Sequence, residues 1–158
     1  YPGTCLFEGT QWSEGRGTNN PFELVGGPGV DSRRLAMELN ALGLEGCRFL
    51  PAEFTPAAPP EDAIRPKLED QRCGGVFLRV DDRESFRPVR AGLAMLIALR
   101  GLYPGRHQWR ASSFDRLAGT DSIRTHIDAG TPLATIEATW SEGLAQFDAL
   151  RRAVAIYE

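Results

Sequence analysis

Apolar residues recur at steps of three and four along the C-terminal part of the chain. They are Leu133, Ile136, Trp140, Leu144, Phe147, Leu150 and Val154. This spacing places them on one side of a helix, and Pro132 suits a first helical turn. The pattern predicts one long amphipathic helix over residues 132–157. Its apolar stripe is expected to pack against a sheet or another helix.

A second helix is predicted from a nearly continuous apolar run, Val89 to Tyr103, which follows Pro88 and stops at Pro104. A helix that is apolar on most sides is normally buried at the centre of a fold. Two shorter helices are predicted around 113–118 and 121–128.

An earlier amphipathic helix is predicted after the glycine-rich segment 26–29. Asp31 or Ser32 suits its N-cap, and Gly43 suits a left-handed C-cap. Its apolar positions are Leu35, Leu39 and Leu42.

Four short segments alternate or concentrate apolar residues as strands do. They are 4–7, 22–25, 47–50 and 75–80, and Pro51 is expected to interrupt the third before Phe54. Residues 56–72 are rich in proline and charge, which predicts a surface loop. Strands before helices indicate an α+β fold, with a small mixed β-sheet packed against several helices.

Composition narrows the class of protein. The 158 residues are 42% hydrophobic and 25% charged, which is typical of one globular domain over 1–158. A net charge of −3 without a basic stripe argues against nucleic-acid binding, and no apolar run is long enough for a membrane span. The first residue is Tyr1, without a targeting segment, so the domain is predicted to come from a longer protein.

The three cysteines, Cys5, Cys47 and Cys73, are far apart and lie in or beside apolar runs. Buried thiols are the favoured interpretation, and one disulfide with a free thiol is the alternative. The sequence has no spacing typical of zinc ligands, and it predicts neither a metal nor a cofactor.

The loop Glu8–Thr18 concentrates the polar chemistry of the chain. Glu8 and Glu14 are candidates for a glycosidase carboxylate pair, and Arg16 could bind a substrate carboxylate in a bidentate manner. Trp12 offers an apolar face for a sugar ring. Alternatively, Arg16 pairs with Glu8 or Glu14 only to fix a glycine-rich loop. The candidate substrate-binding residues are Gln11, Trp12, Ser13, Arg16, Gly17 and Thr18.

Three weaker signals favour structural interpretations. The segment 26–29 lacks the G-x-G-x-x-G spacing of dinucleotide sites. His107 and His126 are solitary, which favours surface or packing roles. The cluster 81–83 is interpreted as a solvated turn with an Asp–Arg pair.

The string EGTQWSEGRGTNNPFELVGGPGVD, residues 8–31, resembles the signature of bacterial exo-lytic β-N-acetylmuramidases. The resemblance continues through RFLPAEFTP, CGGVFLRVDDRESFRPV, LYPGRHQWR and FDRLAGTDSIR to the terminal AIYE, and so covers almost the whole chain. Gln11 departs from it, since the family commonly has asparagine there. In this family, a loop is expected to line a cleft between two domains, and the residues that match this loop are Glu8, Ser13, Glu14, Arg16, Gly17 and Thr18.

The resemblance implies a C-terminal domain that follows an N-terminal Rossmann-like domain, with a cleft between the two. Such proteins release N-acetylmuramic acid from the non-reducing ends of peptidoglycan fragments and are typically exported. It therefore implies a periplasmic or secreted location. Glu14 is expected to transfer a proton or bind a hydroxyl, Glu8 is the second candidate, and Arg16 is expected to bind the lactyl carboxylate. The competing hypothesis is a non-catalytic glycan-binding module or an interdomain brace.

Overall fold

A computed structural model describes residues 1–58 and 65–157 of the chain. Three antiparallel strands form one sheet in the order β1-β3-β2: β1 is Leu24–Gly27, β2 is Cys47–Phe54 and β3 is Cys73–Val80. The α+β class is confirmed, although every strand pair described is antiparallel, so the sheet is not mixed. The helices are α1 Ser32–Ala41, α2 Pro88–Leu102, α3 Ala111–Ala118, α4 Ser122–Asp128, α5 Leu133–Ala138 and α6 Ser141–Val154.

The strand predicted at 4–7 is wrong, because Thr4–Gly9 forms a 3₁₀ helix. The Thr10 backbone N–H and hydroxyl both donate to the Phe7 carbonyl at 2.9 Å, which closes the end of this helix. Phe7 is fully buried. A Cβ at Gly9 would lie 2.5 Å from Phe114 Cα, so only glycine lets this helix approach α3 so closely.

Pro51 does not interrupt its strand, contrary to the sequence prediction. It lies inside β2, opposite Val76 of β3. Because β2 is an edge strand, one of its sides has no neighbouring strand. A proline can direct its nitrogen, which carries no hydrogen, to that side without the loss of an interstrand hydrogen bond. The strand therefore runs through to Phe54.

The core lies between the sheet and the first two helices. Asp31 caps α1 by accepting from the Arg33 and Arg34 N–H groups at 3.0 Å, which confirms one of the two predicted caps. Gly43 follows the helix with φ +61°, also as predicted. Helix α2 is buried along most of its length, which confirms the central helix. The largest buried side chains of α1, β2 and α2 are Leu35, Leu39, Phe49, Leu93, Met95, Leu96 and Leu99.

The single long C-terminal helix is not formed. The Thr139 hydroxyl donates to the Ile136 carbonyl at 2.7 Å and the Ser141 hydroxyl to the Ala138 carbonyl at 2.9 Å, and such bonds compete with the helical pattern. The helix is therefore interrupted here, so that α5 ends at Ala138 and α6 begins at Ser141. Ile136 of α5 is fully buried, whereas α6 has no buried residue. The prediction that the whole stripe packs on a neighbour is therefore wrong for its second half within the described residues.

None of the helices in 1–58 and 65–157 is long and apolar enough to cross a membrane.

Candidate functional site

The glycine-rich loop Glu8–Thr18 is fixed to the domain at two points. Thr10 forms a β-bridge with Trp109, and Ser13 forms one with Gly26 of β1. The Ser13 and Gly26 backbones exchange hydrogen bonds of 2.8 and 3.1 Å. The loop that the sequence singled out is thus an ordered part of the fold, placed between the sheet edge and the segment before α3.

A buried carboxylate with two cations lies at the centre of this loop. Glu14 Oε1 lies 3.4 Å from Arg16 Nε, and Glu14 Oε2 lies 2.7 Å from Lys67 Nζ. The Glu14 side chain is 3% exposed and that of Lys67 is 13% exposed. Burying an ion costs free energy unless partners compensate for the lost hydration, so Glu14 depends on both cations.

Lys67 does more than neutralise Glu14. Its ammonium group donates to the carbonyls of Phe7, at 2.6 Å, Thr10, at 3.1 Å, and Trp12. These three acceptors take its donor directions, so its contact with Glu14 is an ion pair rather than an aligned hydrogen bond. Burial lowers the pKa of Lys67 from its ordinary value, and the charge of Glu14 opposes that shift.

Sequence reasoning missed Lys67. The residue belongs to the segment 56–72, which was predicted to be a surface loop, and it lies far from Glu14 along the chain. Part of that segment, residues 59–64, lies outside the described structure. A lysine in a charged, proline-rich stretch looks solvated, and no local pattern indicates that its side chain turns into the core.

Arg16 connects the buried carboxylate to the surface. Its Nη2 lies 3.2 Å from Glu8 Oε1, and its guanidinium carbon lies 4.7 Å from the Phe22 ring centroid. The side chain of Arg16 is 44% exposed and that of Glu8 is 31% exposed. The pairing of Arg16 with both glutamates, which the sequence left as an alternative, is present. Glu8 and Arg16 nevertheless remain the charged groups of the loop that solvent reaches.

Backbone strain is concentrated around this cluster. Within the described residues, three non-glycine residues have positive φ: Phe22 at 65°, Leu68 at 57° and Asp70 at 58°. Phe22 contacts Arg16, while Leu68 directly follows Lys67 and Asp70 lies three residues after it. Such conformations cost about 1–3 kcal/mol each and persist where the surroundings enforce them, often at functional sites.

Trp12 and Ser13 are core residues, which corrects the roles proposed for them from the sequence. Trp12 is 1% exposed, and its indole N–H donates to Nδ1 of His107 at 3.1 Å. The Ser13 hydroxyl is buried and accepts from the Gly15 N–H at 3.1 Å. No face of Trp12 is open to a sugar, because the ring packs over β1, close to Gly27.

The other three candidates also make contacts that shape the loop. The Gln11 amide donates to the Arg106 carbonyl, and its oxygen accepts from the Gln108 N–H at 2.8 Å. The Thr18 hydroxyl donates to the Gly15 carbonyl at 2.7 Å. Gly17 has φ +78°, and a Cβ there would lie 2.7 Å from the Ala57 carbonyl oxygen. These residues hold the loop shape that presents Glu8 and Arg16.

His107 has the packing role predicted for it. Because Nδ1 accepts from Trp12, the neutral ring carries its proton on Nε2, which is buried without a hydrogen-bond partner among the described residues. Burial, followed by the positive charge of Arg100, lowers the pKa of His107 from 6.5 to about 4. A charged imidazole is therefore disfavoured beneath the loop.

This low pKa predicts acid sensitivity. Between pH 6.5 and pH 4 the unfolded chain binds a proton at His107 that the folded chain does not, so stability is lost as pH falls through that range. The loss is up to about 3 kcal/mol. His107→Asn keeps an acceptor for Trp12 but does not titrate, so it is expected to flatten the pH dependence of the free energy of unfolding. Urea unfolding at several pH values, followed by tryptophan fluorescence, measures this dependence. Equal slopes for both proteins would contradict this prediction.

The remaining polar groups have structural contacts. Residues 81–83 are exposed, as predicted, but Asp81 pairs with Arg48 at 3.1 Å and with Arg79 at 3.2 Å, both in the strands, rather than with Arg83 of the cluster. The cysteines are free thiols; Cys73 is buried, and burial raises its pKa to about 11. In the described part of the chain, no three His, Cys, Asp or Glu side chains converge in a way that could hold a metal ion.

Comparison with known proteins decides the family. The family model for the C-terminal part of the exo-β-N-acetylmuramidase NamZ matches residues 1–157. The chain belongs to this family. The NamZ-type resemblance seen in the glycine-rich loop is thereby confirmed over the whole domain.

One curated relative and two solved structures agree with this assignment. The peptidoglycan β-N-acetylmuramidase NamZ of Bacillus subtilis (strain 168) is 41% identical over 99% of this chain, which spans 36% of the relative. A DUF1343 family protein from Bacteroides fragilis NCTC 9343 has the same fold, with a TM-score of 0.87 and 21% identity. A second one has a TM-score of 0.69 and 29% identity. The two matches cover 100% and 98% of this chain, but they cover 41% and 39% of the solved chains.

Proposed function

We propose that this domain forms one wall of the active cleft of an exo-β-N-acetylmuramidase, with its glycine-rich loop facing the sugar. The observation that carries the proposal is the Glu8–Arg16 pair, which is partly exposed and supported from below by buried Glu14. The 41% identity to a peptidoglycan β-N-acetylmuramidase supports the substrate class. Because the chain spans 36% of that relative, the activity itself is proposed for a longer parent protein that also contains an N-terminal Rossmann-like domain.

Arg16 is proposed to bind the lactyl carboxylate that distinguishes N-acetylmuramic acid from N-acetylglucosamine. Its Nε and Nη2 atoms face Glu14 and Glu8, while Nη1 makes no hydrogen bond or ion pair to a described residue. A guanidinium with its plane fixed by two carboxylates and an aromatic ring is already oriented for a third carboxylate. The ordering cost of binding is therefore reduced.

The two glutamates are proposed to have different roles. Glu14 is inaccessible and both of its oxygens face cations, which favours positioning Arg16 over the proton-transfer role expected from the sequence. Glu8 is partly exposed and pairs with one cation, so it is the better placed of the two to contact a sugar hydroxyl or exchange a proton. Muropeptide binding and an extracytoplasmic location belong to the same proposal.

The test is the release of N-acetylmuramic acid from a chromogenic β-glycoside by the full-length parent. Arg16→Gln is expected to lower kcat/KM by roughly 10–150-fold, mostly through KM, because a charge-assisted hydrogen bond contributes about 1.5–3 kcal/mol. The matched control is Arg72→Gln, since Arg72 pairs with Glu53 on the sheet surface, outside the loop. An Arg16 variant as active as the control would contradict the assignment.

The alternative is a glycan-binding module, and the exposed Glu8 carboxylate discriminates between the two. If Glu8 takes part in the chemistry, Glu8→Gln lowers kcat by about 10²–10⁴-fold. If the domain only holds glycan, the same variant raises KM and leaves kcat almost unchanged. A brace without glycan contact predicts no change in either constant for Glu8→Gln or Arg16→Gln.

A further inference from the structure

Helix α6 leaves an apolar face without a partner in the described structure. Leu144, Phe147, Leu150 and Val154 are between 57% and 77% exposed and follow one another at helical spacing. The periodicity that predicts a packed helix is therefore present, but the described residues bury none of these four side chains. Scattered exposed apolar residues are ordinary, whereas a contiguous stripe on one helix marks an interaction surface.

The stripe continues into a groove on the domain. A cavity of about 470 Å³ lies between the start of α2 and the start of α6, and it is lined by Pro88, Val89, Ile123, Trp140 and Leu144, with Arg87, Arg90 and Glu137 around them. Leu144 belongs to both the groove and the stripe. The exposed apolar surface thus extends from α2 along α6, and we call it the α6 face.

We propose that the α6 face is the docking surface for the part of the parent protein outside residues 1–158, its N-terminal domain. This inference rests on the proposed function only in requiring that longer parent. The relative from Bacillus subtilis and the two solved structures are each matched over 36–41% of their length, so most of each chain has no counterpart here.

The area that helix α6 contributes to this surface favours an intramolecular partner over a second copy of the chain. A 14-residue helix is about 21 Å long and about 10 Å wide, a footprint near 200 Å². A stable complex between separate proteins buries about 800 Å² on each partner. A covalent link supplies an effective concentration in the millimolar range, so a small apolar contact suffices within one chain.

The α6 face also accounts for the break after α5. Ile136 anchors α5 in the core, and the hydroxyl bonds of Thr139 and Ser141 end that helix. Helix α6 then begins at Ser141, and its side chains stay uncovered by the described residues, so it is free to lie against a second body. The sequence keeps one apolar period through both helices because both are buried in the complete protein, α5 by this domain and α6 by its partner.

Photo-cross-linking in the full-length parent tests the assignment. The photoreactive residue p-benzoylphenylalanine replaces Phe147, and the matched control places it at Ala149, which is exposed on the opposite side of α6. The expected result is a cross-link within one chain, from position 147 to a peptide outside residues 1–158, several-fold stronger than from position 149. Cross-links between two copies, cross-links back into residues 1–158, or equal yields at both positions would overturn the proposal.

A second measurement does not depend on the probe. Phe147→Glu in the parent is expected to lower the melting temperature by several degrees relative to Ala149→Glu, and equal melting temperatures would overturn the proposal. Neither readout uses glycan hydrolysis. A parent that cross-links as expected but releases no N-acetylmuramic acid would contradict the proposed function and leave the docking surface standing.

Discussion

Replacing Lys67 with methionine is expected to lower the free energy of unfolding by about 3–5 kcal/mol, because removing one partner leaves a buried charge uncompensated. Methionine keeps the length and apolar body of the side chain. It loses the ion pair to Glu14 and the hydrogen bonds to the carbonyls of Phe7, Thr10 and Trp12. Urea unfolding of the 158-residue chain measures the change.

Two variants separate charge from packing at this position. Lys67→Arg keeps the charge, but a planar guanidinium cannot direct its donors to three convergent carbonyls as an ammonium does, so only part of the stability is expected to return. The double variant Lys67→Met with Glu14→Gln removes both charges and is expected to be more stable than Lys67→Met alone. If the double variant is less stable by the sum of the two single losses, the two charges do not interact.

Lys67→Met is also expected to lower the proposed muramidase activity of the parent at temperatures where the protein remains folded. Glu14 would pair with Arg16 alone, and the carbonyls that fix the start of the loop would lose their common donor. Arg16 and Glu8 would then be less well positioned. Unchanged kinetic constants in a folded Lys67→Met protein would show that the ion pair supports the fold and not the loop.

Replacing Trp12 with alanine is expected to cost about 3–5 kcal/mol of stability, the range measured for large aromatic residues in protein cores. The indole is fully buried and donates to His107. Trp12→Phe is the matched control: it keeps an aromatic ring, loses the donor, and is expected to cost about 1 kcal/mol for the hydrogen bond plus a small cavity term. Urea unfolding distinguishes these values.

The Trp12 series also tests the role that the sequence suggested for this residue. Loss of a tryptophan that stacks on a sugar lowers the affinity for that sugar and leaves the stability of the protein almost unchanged. Trp12→Ala with full stability and a strongly raised KM would therefore restore the sugar-platform hypothesis and contradict the buried position. The burial predicts the opposite pattern, a large loss of stability.

The elements predicted correctly are those whose signals are local. The N-cap at Asp31, the positive φ at Gly43 and the apolar run of α2 depend on neighbours within a few residues. The strand at 75–80 also needed no distant partner to be recognised, since the apolar residues Val76–Leu78 and the aspartates that follow Val80 suffice. Each of these features lies within the range over which helix and strand propensities act.

The wrong predictions concern segments in which tertiary packing overrides the local secondary-structure preference. Residues 4–7 have a strand-like composition, yet they form a 3₁₀ helix because Phe7 packs in the core and the chain closes on Thr10. Pro51 is compatible with β2 only because that strand lies at an edge. The apolar period from 133 to 154 does not show whether this domain or another body covers each half.

The sequence by itself determined the family, the α+β class and the loop that carries Glu8, Glu14 and Arg16. A dense, ordered set of glycine and polar residues is recognisable without coordinates. Only the tertiary structure showed that Lys67 supplies the second cation, that Glu14 is buried between two charges, and that Trp12 belongs to the core. The physical reason is that burial and ion pairing depend on distances between residues far apart in the chain, and no local pattern records those distances.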